Sequence, residues 1–195
     1  MEERNNLFPV FLKLEELETL LIGGGNVGLE KLTALLKSSP QASVTVVAAR
    51  IKDELRELAA TSNRVRIIER DFVISDLDHV DLVVMATDNQ ALHQQIRELA
   101  RKKRLLVNVA DTPQLCDFYL GSVVTKGNLK IGISTNGKSP TIAKRIREYL
   151  EEAIPDNTDA LLQNMQRIRD RLKADFSEKV KMLNEITASW LKKDG

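Results

Sequence analysis

A short apolar run, Leu20-Leu21-Ile22, feeds straight into Gly23-Gly24-Gly25-Asn26-Val27-Gly28, and an amphipathic segment follows at once. Gly23, Gly25 and Gly28 hold the G-x-G-x-x-G spacing, with a strand expected before it and a helix after it. Each glycine answers a physical need. The first allows the strand to turn sharply. The second, having no Cβ, lets a pyrophosphate approach the backbone. The third permits close packing of helix on strand. Phosphates then rest on free N–H groups at a helix N-terminus. The stretch predicts a βα unit built around a dinucleotide, with the Gly23–Gly28 loop beneath it.

The chain that follows repeats the alternation. Thr19–Ile22, Val44–Ala48, Val65–Ile68, Asp81–Ala86 and Leu105–Val109 read as strands. Leu29, Leu32, Leu35 and Leu36 recur at helical spacing, as do Ile51, Leu55, Leu58 and Ala59, and Ala91, Leu92, Ile96, Leu99 and Ala100. Strands alternating with helices imply right-handed crossovers and a parallel, Rossmann-like sheet over residues 1–113. Pro9–Leu14 reads as a lead-in strand, with a polar turn over Glu15–Glu18. The pattern then changes. Leu120–Thr125 and Leu129–Ser134 flank Lys126-Gly127-Asn128 and predict an antiparallel hairpin. Ser139 is placed as an N-cap with Pro140 at the first helical position. Residues 114–150 thus form a hairpin–helix region, and 151–195 a small helical domain. Leu161, Leu162, Met165, Ile168, Leu172, Phe176, Val180, Leu183 and Ile186 form its apolar stripe, suited to a core or a subunit interface.

In 195 residues there is one cysteine, Cys116, which excludes an internal disulfide and fits a reducing, cytoplasmic setting. A net charge of +1 argues against a protein-wide field for nucleic acid or membrane, and no apolar run reaches membrane-spanning length. The start, Met1-Glu2-Glu3-Arg4, has no secretory character. His79 and His93 lack ligand-spaced partners, so no protein metal site is expected.

Ligands of an open parallel sheet lie at the carboxyl ends of the strands. This points to Ala49-Arg50, Thr87-Asp88 and Asn108–Asp111. The acid expected to hold the ribose at the end of the second strand is missing. Arg50 stands there instead, either to meet a 2′-phosphate or as a solvated surface group. Asp88 is read as a helix N-cap positioned to touch a cofactor. Asp111 is either a proton acceptor facing the reactive end of the crevice or a loop-capping residue. Lys126, Lys130, Lys138, Lys144, Arg145 and Arg147 span a stretch with no acid. It includes Thr135-Asn136-Gly137-Lys138-Ser139-Pro140, a loop–helix start suited to anions.

Ile22-Gly23-Gly24-Gly25-Asn26-Val27, Ala86-Thr87-Asp88, Asn108-Val109-Ala110-Asp111, Cys116-Asp117-Phe118 and Ile133–Pro140 occur in that order and spacing. Together they resemble precorrin-2 dehydrogenase, the N-terminal module of siroheme synthase, over nearly the whole chain. The resemblance implies NAD-dependent oxidation of precorrin-2 to sirohydrochlorin, with ferrous iron insertion to give siroheme in some members. It implies a homodimer formed through the hairpin region. It implies NAD contacts at Asn26-Val27 and Ala49-Arg50, with Thr87, Asp88 and Asn108 nearby, and it makes Asp111 the catalytic residue. Thr135, Asn136, Lys138, Ser139, Lys144 and Arg145 would face a substrate bearing many carboxylates. Gly28, Glu30 and Gly121 depart from the family's usual residues. No methyltransferase module follows in the sequence, which the resemblance associates with a standalone type. A competing reading is an NAD(H)-sensing regulatory domain without turnover, signalling through the C-terminal helices.

Overall fold

The computed structural model describes residues 4–171 and 176–187. The chain divides into two compact units: residues 1–121 with 134–139, and residues 122–133 with 140–195. The three-part division expected from the sequence is thus drawn differently. The hairpin and all the later helices fall in one unit, while the 134–139 loop returns to the other.

The first unit is built on five parallel strands: β1 (Glu18–Ile22), β2 (Ser43–Ala48), β3 (Val65–Glu69), β4 (Leu82–Met85) and β5 (Leu106–Val109). Their order is β3-β2-β1-β4-β5. This is the arrangement that right-handed crossovers through α1 (Asn26–Ser38), α2 (Asp53–Ala60) and α3 (Gln90–Lys103) generate. The sheet reverses direction of winding between β1 and β4, which opens a crevice above the carboxyl ends of the strands. Every residue of β4 is buried, as its uninterrupted apolar run requires of a strand covered on both faces. One layer of core joins Leu21, Val44, Val46 and Val84 to Leu32, Leu35 and Leu55 of α1 and α2. The other joins Leu20, Val83, Met85 and Val107 to Ile96 and Ala100 of α3.

Two local expectations are corrected. Pro9–Leu14 forms no strand. The strand that follows it, β1, is central, with both flanks taken by β2 and β4. Phe8 and Phe11 are 87% and 70% exposed, and Leu14 alone reaches the core. The N-cap of α3 is Asn89, not Asp88, because the Asn89 side chain accepts the Leu92 N–H at 3.0 Å. In the C-terminal helical stretch the described residues form α5 (Thr158–Arg171) and α6 (Phe176–Thr187), as the sequence leads one to expect. Leu172 and Trp190 lie outside the described residues.

The second unit carries a hairpin of β6 (Ser122–Lys126) and β7 (Leu129–Ile133), antiparallel, with Lys126 opposite Leu129. That register leaves Gly127-Asn128 as a two-residue turn, and Gly127 sits at φ +57°. α4 (Pro140–Ala153) starts at its proline as expected and packs on β6, burying Val124 and Ala143. Asp159, in the first turn of α5, accepts the backbone N–H and the side-chain amide of Asn128, tying helix to turn.

Candidate functional site

A cavity of about 620 Å³ opens above the carboxyl ends of β1, β2, β4 and β5. Its floor is the glycine loop. Gly23 turns the chain at φ +123°, and a Cβ there would lie 2.3 Å from the Ala86 carbonyl oxygen. A Cβ on Gly28 would lie 2.1 Å from the Gly23 carbonyl oxygen, so this glycine lets α1 seat on β1. Around the ideal Cβ position of Gly25 there is nothing within 4 Å. That open face borders the N-terminus of α1, which has no side-chain cap. The first-turn N–H groups therefore remain available to an anion. Gly23 thus makes the turn and Gly28 the close helix–strand packing, while Gly25 leaves open the face where a pyrophosphate is expected.

Gly24 carries a constraint the spacing does not reveal. Its Cβ would lie 2.3 Å from the Arg50 carbonyl oxygen and 2.8 Å from Ile51. The Gly24 carbonyl also accepts the Lys52 N–H at 2.9 Å. The glycine loop and the turn after β2 are thus locked together. Lys52 Nζ reaches the Asn26 side-chain oxygen at 2.8 Å, a second tie across the same seam.

The lining takes in Gly23–Val27, Ala49, Arg50, Thr87, Asp88 and Asp111, so nearly all cofactor and catalytic candidates converge. Asn108 does not line it. That residue is buried, and its side chain donates to the Phe118 carbonyl at 2.8 Å. Asp111 follows β5 in the left-handed region at φ +56°. Such a backbone is costly for most residues and tolerated best by Asn, Asp and Gly. His93 is buried behind Thr87, its Nε2 2.9 Å from the Thr87 hydroxyl, and its Nδ1 has no hydrogen-bond partner. Burial pushes the imidazole pKa down, against smaller opposing effects from Thr87 and the Asp88 charge. A neutral ring holding the Thr87 hydroxyl in place is the result. Asp71 and Phe72, which follow β3, also line the cavity and were missed by sequence reading.

The Cys116-Asp117-Phe118 segment is structural. Cys116 Sγ accepts the Val109 N–H at 3.2 Å, and burial pushes its thiol pKa up. Asp117 accepts the Val107 N–H at 3.0 Å and both guanidinium nitrogens of Arg97. The segment runs along β5 and covers the open edge of the sheet. In the 134–139 loop, Thr135 Oγ1 donates to the Ser139 carbonyl and accepts the Ser139 N–H, closing the turn. Asn136 and Gly137 there have φ of +54° and +74°. The basic run meets acids just outside its own window. Lys126 pairs with Asp156, Lys144 and Arg145 with Glu148, and Arg147 with Glu151. Among the described residues no group of three or more His, Cys, Asp or Glu side chains is placed to hold a metal ion. None of their helices is long and apolar enough to cross a membrane.

A parallel sheet in this order, a glycine turn open at its second position and a crevice at the switch point define a Rossmann-type dinucleotide-binding protein. The chain belongs to the NAD(P)-binding family whose model matches residues 10–122. A second family model, described as the sirohaem biosynthesis protein central segment, matches residues 126–153. Siroheme synthase from Ruthia magnifica is 35% identical over 172 residues, 88% of this chain and 36% of that protein. Siroheme synthase from Pseudoalteromonas translucida is 38% identical over 168 residues, 86% of this chain and 35% of that protein. The chain thus spans about a third of the length of these relatives. A solved structure named SirC, precorrin-2 dehydrogenase, has a TM-score of 0.75 and 27% identity, covering 92% of this chain and 89% of that one.

Proposed function

We propose that the protein oxidises precorrin-2 to sirohydrochlorin with NAD as electron acceptor. The observation that carries this reading is the likeness to a solved precorrin-2 dehydrogenase along about nine-tenths of both chains. The local chemistry supports it. Gly25 and the uncapped start of α1 offer the pyrophosphate both space and N–H donors. Bound NAD supplies a hydride acceptor at the crevice. Thr87, held by His93, lies on the same side of β1 as Asp111 and orients what binds there. The oxidation removes a hydride and a proton. Asp111, on the rim that follows β5, takes the proton on its carboxylate. Thr135, Asn136, Lys138, Ser139, Lys144 and Arg145 are the proposed contacts for the substrate's carboxylates. The ion pairs of Lys144 and Arg145 with Glu148 are exposed and weak, so a polyanion competes for them at small cost.

A homodimer is part of the same reading. Ile142, Ile146 and Tyr149 on α4 recur at helical spacing and are 53%, 40% and 69% exposed. A cytoplasmic setting is in keeping with the single, reduced cysteine. Where ferrous iron is also a substrate, the macrocycle nitrogens are its ligands and Asp111 accepts the protons they release.

The test is an absorbance assay with precorrin-2 and NAD, continued with Fe(II) to read siroheme formation. The wild type is expected to give the sirohydrochlorin spectrum. The Asp111→Ala variant is expected to lose at least about 100-fold in turnover while retaining its NAD affinity. Tight NAD binding with no turnover in the wild type would instead establish a regulatory domain. Full activity of Asp111→Ala would remove that residue from the chemistry.

A further inference from the structure

Of the carboxylates lining the cavity, Asp88 and Asp111 follow β4 and β5, on one side of β1. Asp71 stands on the other, beyond β3. Strand register fixes its place. Ala48 pairs with Glu69 at the end of the β2–β3 ladder, so Arg50 and Asp71 each lie two residues past the last pair. They form neighbouring positions on the rim where β2 ordinarily supplies its ribose acid.

The other acids of this corner are engaged or elsewhere. Glu69 accepts the Ile51 N–H at 3.1 Å and pairs with Arg56 at 2.5 Å. Asp53 begins α2 and does not line the cavity. Asp71 is different. Its backbone is held on both sides: the Arg70 guanidinium donates to the Asp71 carbonyl at 2.9 Å, and Phe72 packs into the core. Arg70 is itself fixed by a two-pronged pair with Asp76 at 2.7 and 2.5 Å. Among the described residues the Asp71 carboxylate has no hydrogen-bond or ion-pair partner. A rigidly mounted, unpaired carboxylate on the adenosine side of a dinucleotide crevice has an evident use.

We propose that Asp71 takes the part of the missing β2 acid: its carboxylate accepts the 2′- and 3′-hydroxyls of the adenosine ribose and repels a 2′-phosphate. The inference rests on the nicotinamide-cofactor reading and names what makes that site choose NAD over NADP. Arg50 alone favours a 2′-phosphate. Asp71 beside it reverses the preference by placing a like charge against the phosphate, a repulsive element built into specificity.

The test is calorimetric titration of the wild type, Asp71→Asn and Asp53→Asn with NAD and with NADP, each variant first checked for a wild-type circular dichroism spectrum. Asp71→Ser serves as a second variant. The wild type is expected to prefer NAD. Both Asp71 variants are expected to lose about tenfold or more in NAD affinity, the usual scale for a charged hydrogen-bond acceptor, and to gain in NADP affinity through Arg50. Asp53→Asn is expected to leave the preference unchanged. An unaltered NAD-to-NADP ratio in the Asp71 variants, or an equal change in Asp53→Asn, overturns the assignment while the cofactor site stands. A wild type that binds neither dinucleotide overturns the cofactor reading itself.

Discussion

Gly24, Gly25 and Gly28 lie within five residues, yet a methyl group at each meets a different fate. At Gly24 it meets the Arg50 carbonyl, and at Gly28 the Gly23 carbonyl. Backbone cannot retreat as a flexible side chain can. Gly24→Ala and Gly28→Ala should therefore each cost about 1–3 kcal/mol in urea denaturation. Gly25→Ala meets open space and should unfold like the wild type, while dinucleotide affinity in a titration falls sharply. An equal stability loss at all three positions would contradict this division. Gly28 was readable from spacing alone, because its close contact with Gly23 is made within one βα unit. Gly24 was not, because its neighbour Arg50 belongs to the next strand's turn. Asp71 stayed hidden for the same reason, since only the β2–β3 register brings it beside Arg50. Asp111 was readable as a residue but not as a backbone state. At φ +56° it occupies a position where Asp111→Gly should be better tolerated in stability than Asp111→Ala.

Among the elements, β5 shows how an edge strand is finished. Its outer N–H groups at Val107 and Val109 are taken by Asp117 and by Cys116 Sγ. Burial raises the Asp117 pKa, but hydrogen bonds from Arg97 and from the Val107 N–H more than offset it, and the net shift is downward. A carboxyl whose pKa is lower folded than unfolded stabilises the protein above its unfolded value. That contribution disappears as pH falls through the folded one. The wild type should therefore lose stability as pH drops below about 4, the ordinary aspartate range. Asp117→Asn should be less stable by about 1–3 kcal/mol at neutral pH and lack that part of the acid dependence, as urea denaturation at pH 7 and pH 3 would show. An acid profile identical to the wild type's would remove Asp117 from the edge's electrostatics. Sequence periodicity gave β5 and α3 correctly, since both bury a regular apolar face. It also suggested a strand at Pro9–Leu14, where an apolar run is present but no strand pairs with it. Periodicity reports a face to be buried and cannot say whether a partner exists.

For the whole molecule, the division into two units has measurable content. Asp159 anchors the hairpin turn to α5 within the second unit, and a Cβ at Gly127 would strike its side chain. Asp159→Ala should speed hydrogen exchange at the Asn128 amide and through the hairpin, leaving the amides of the β1–β5 sheet as protected as before. Faster exchange throughout the sheet would show that the two units unfold as one. The order of the chain through these units carries a further consequence. It leaves the first unit after Gly121, returns for residues 134–139 and leaves again at Pro140. A gene crossover at 121 would therefore hand on the Rossmann sheet without the loop holding Thr135 and Ser139. A crossover at 139 would split the hairpin from the helix packed on it. The two units are separate in their packing but interleaved in their coding, so recombination can exchange them only as a pair.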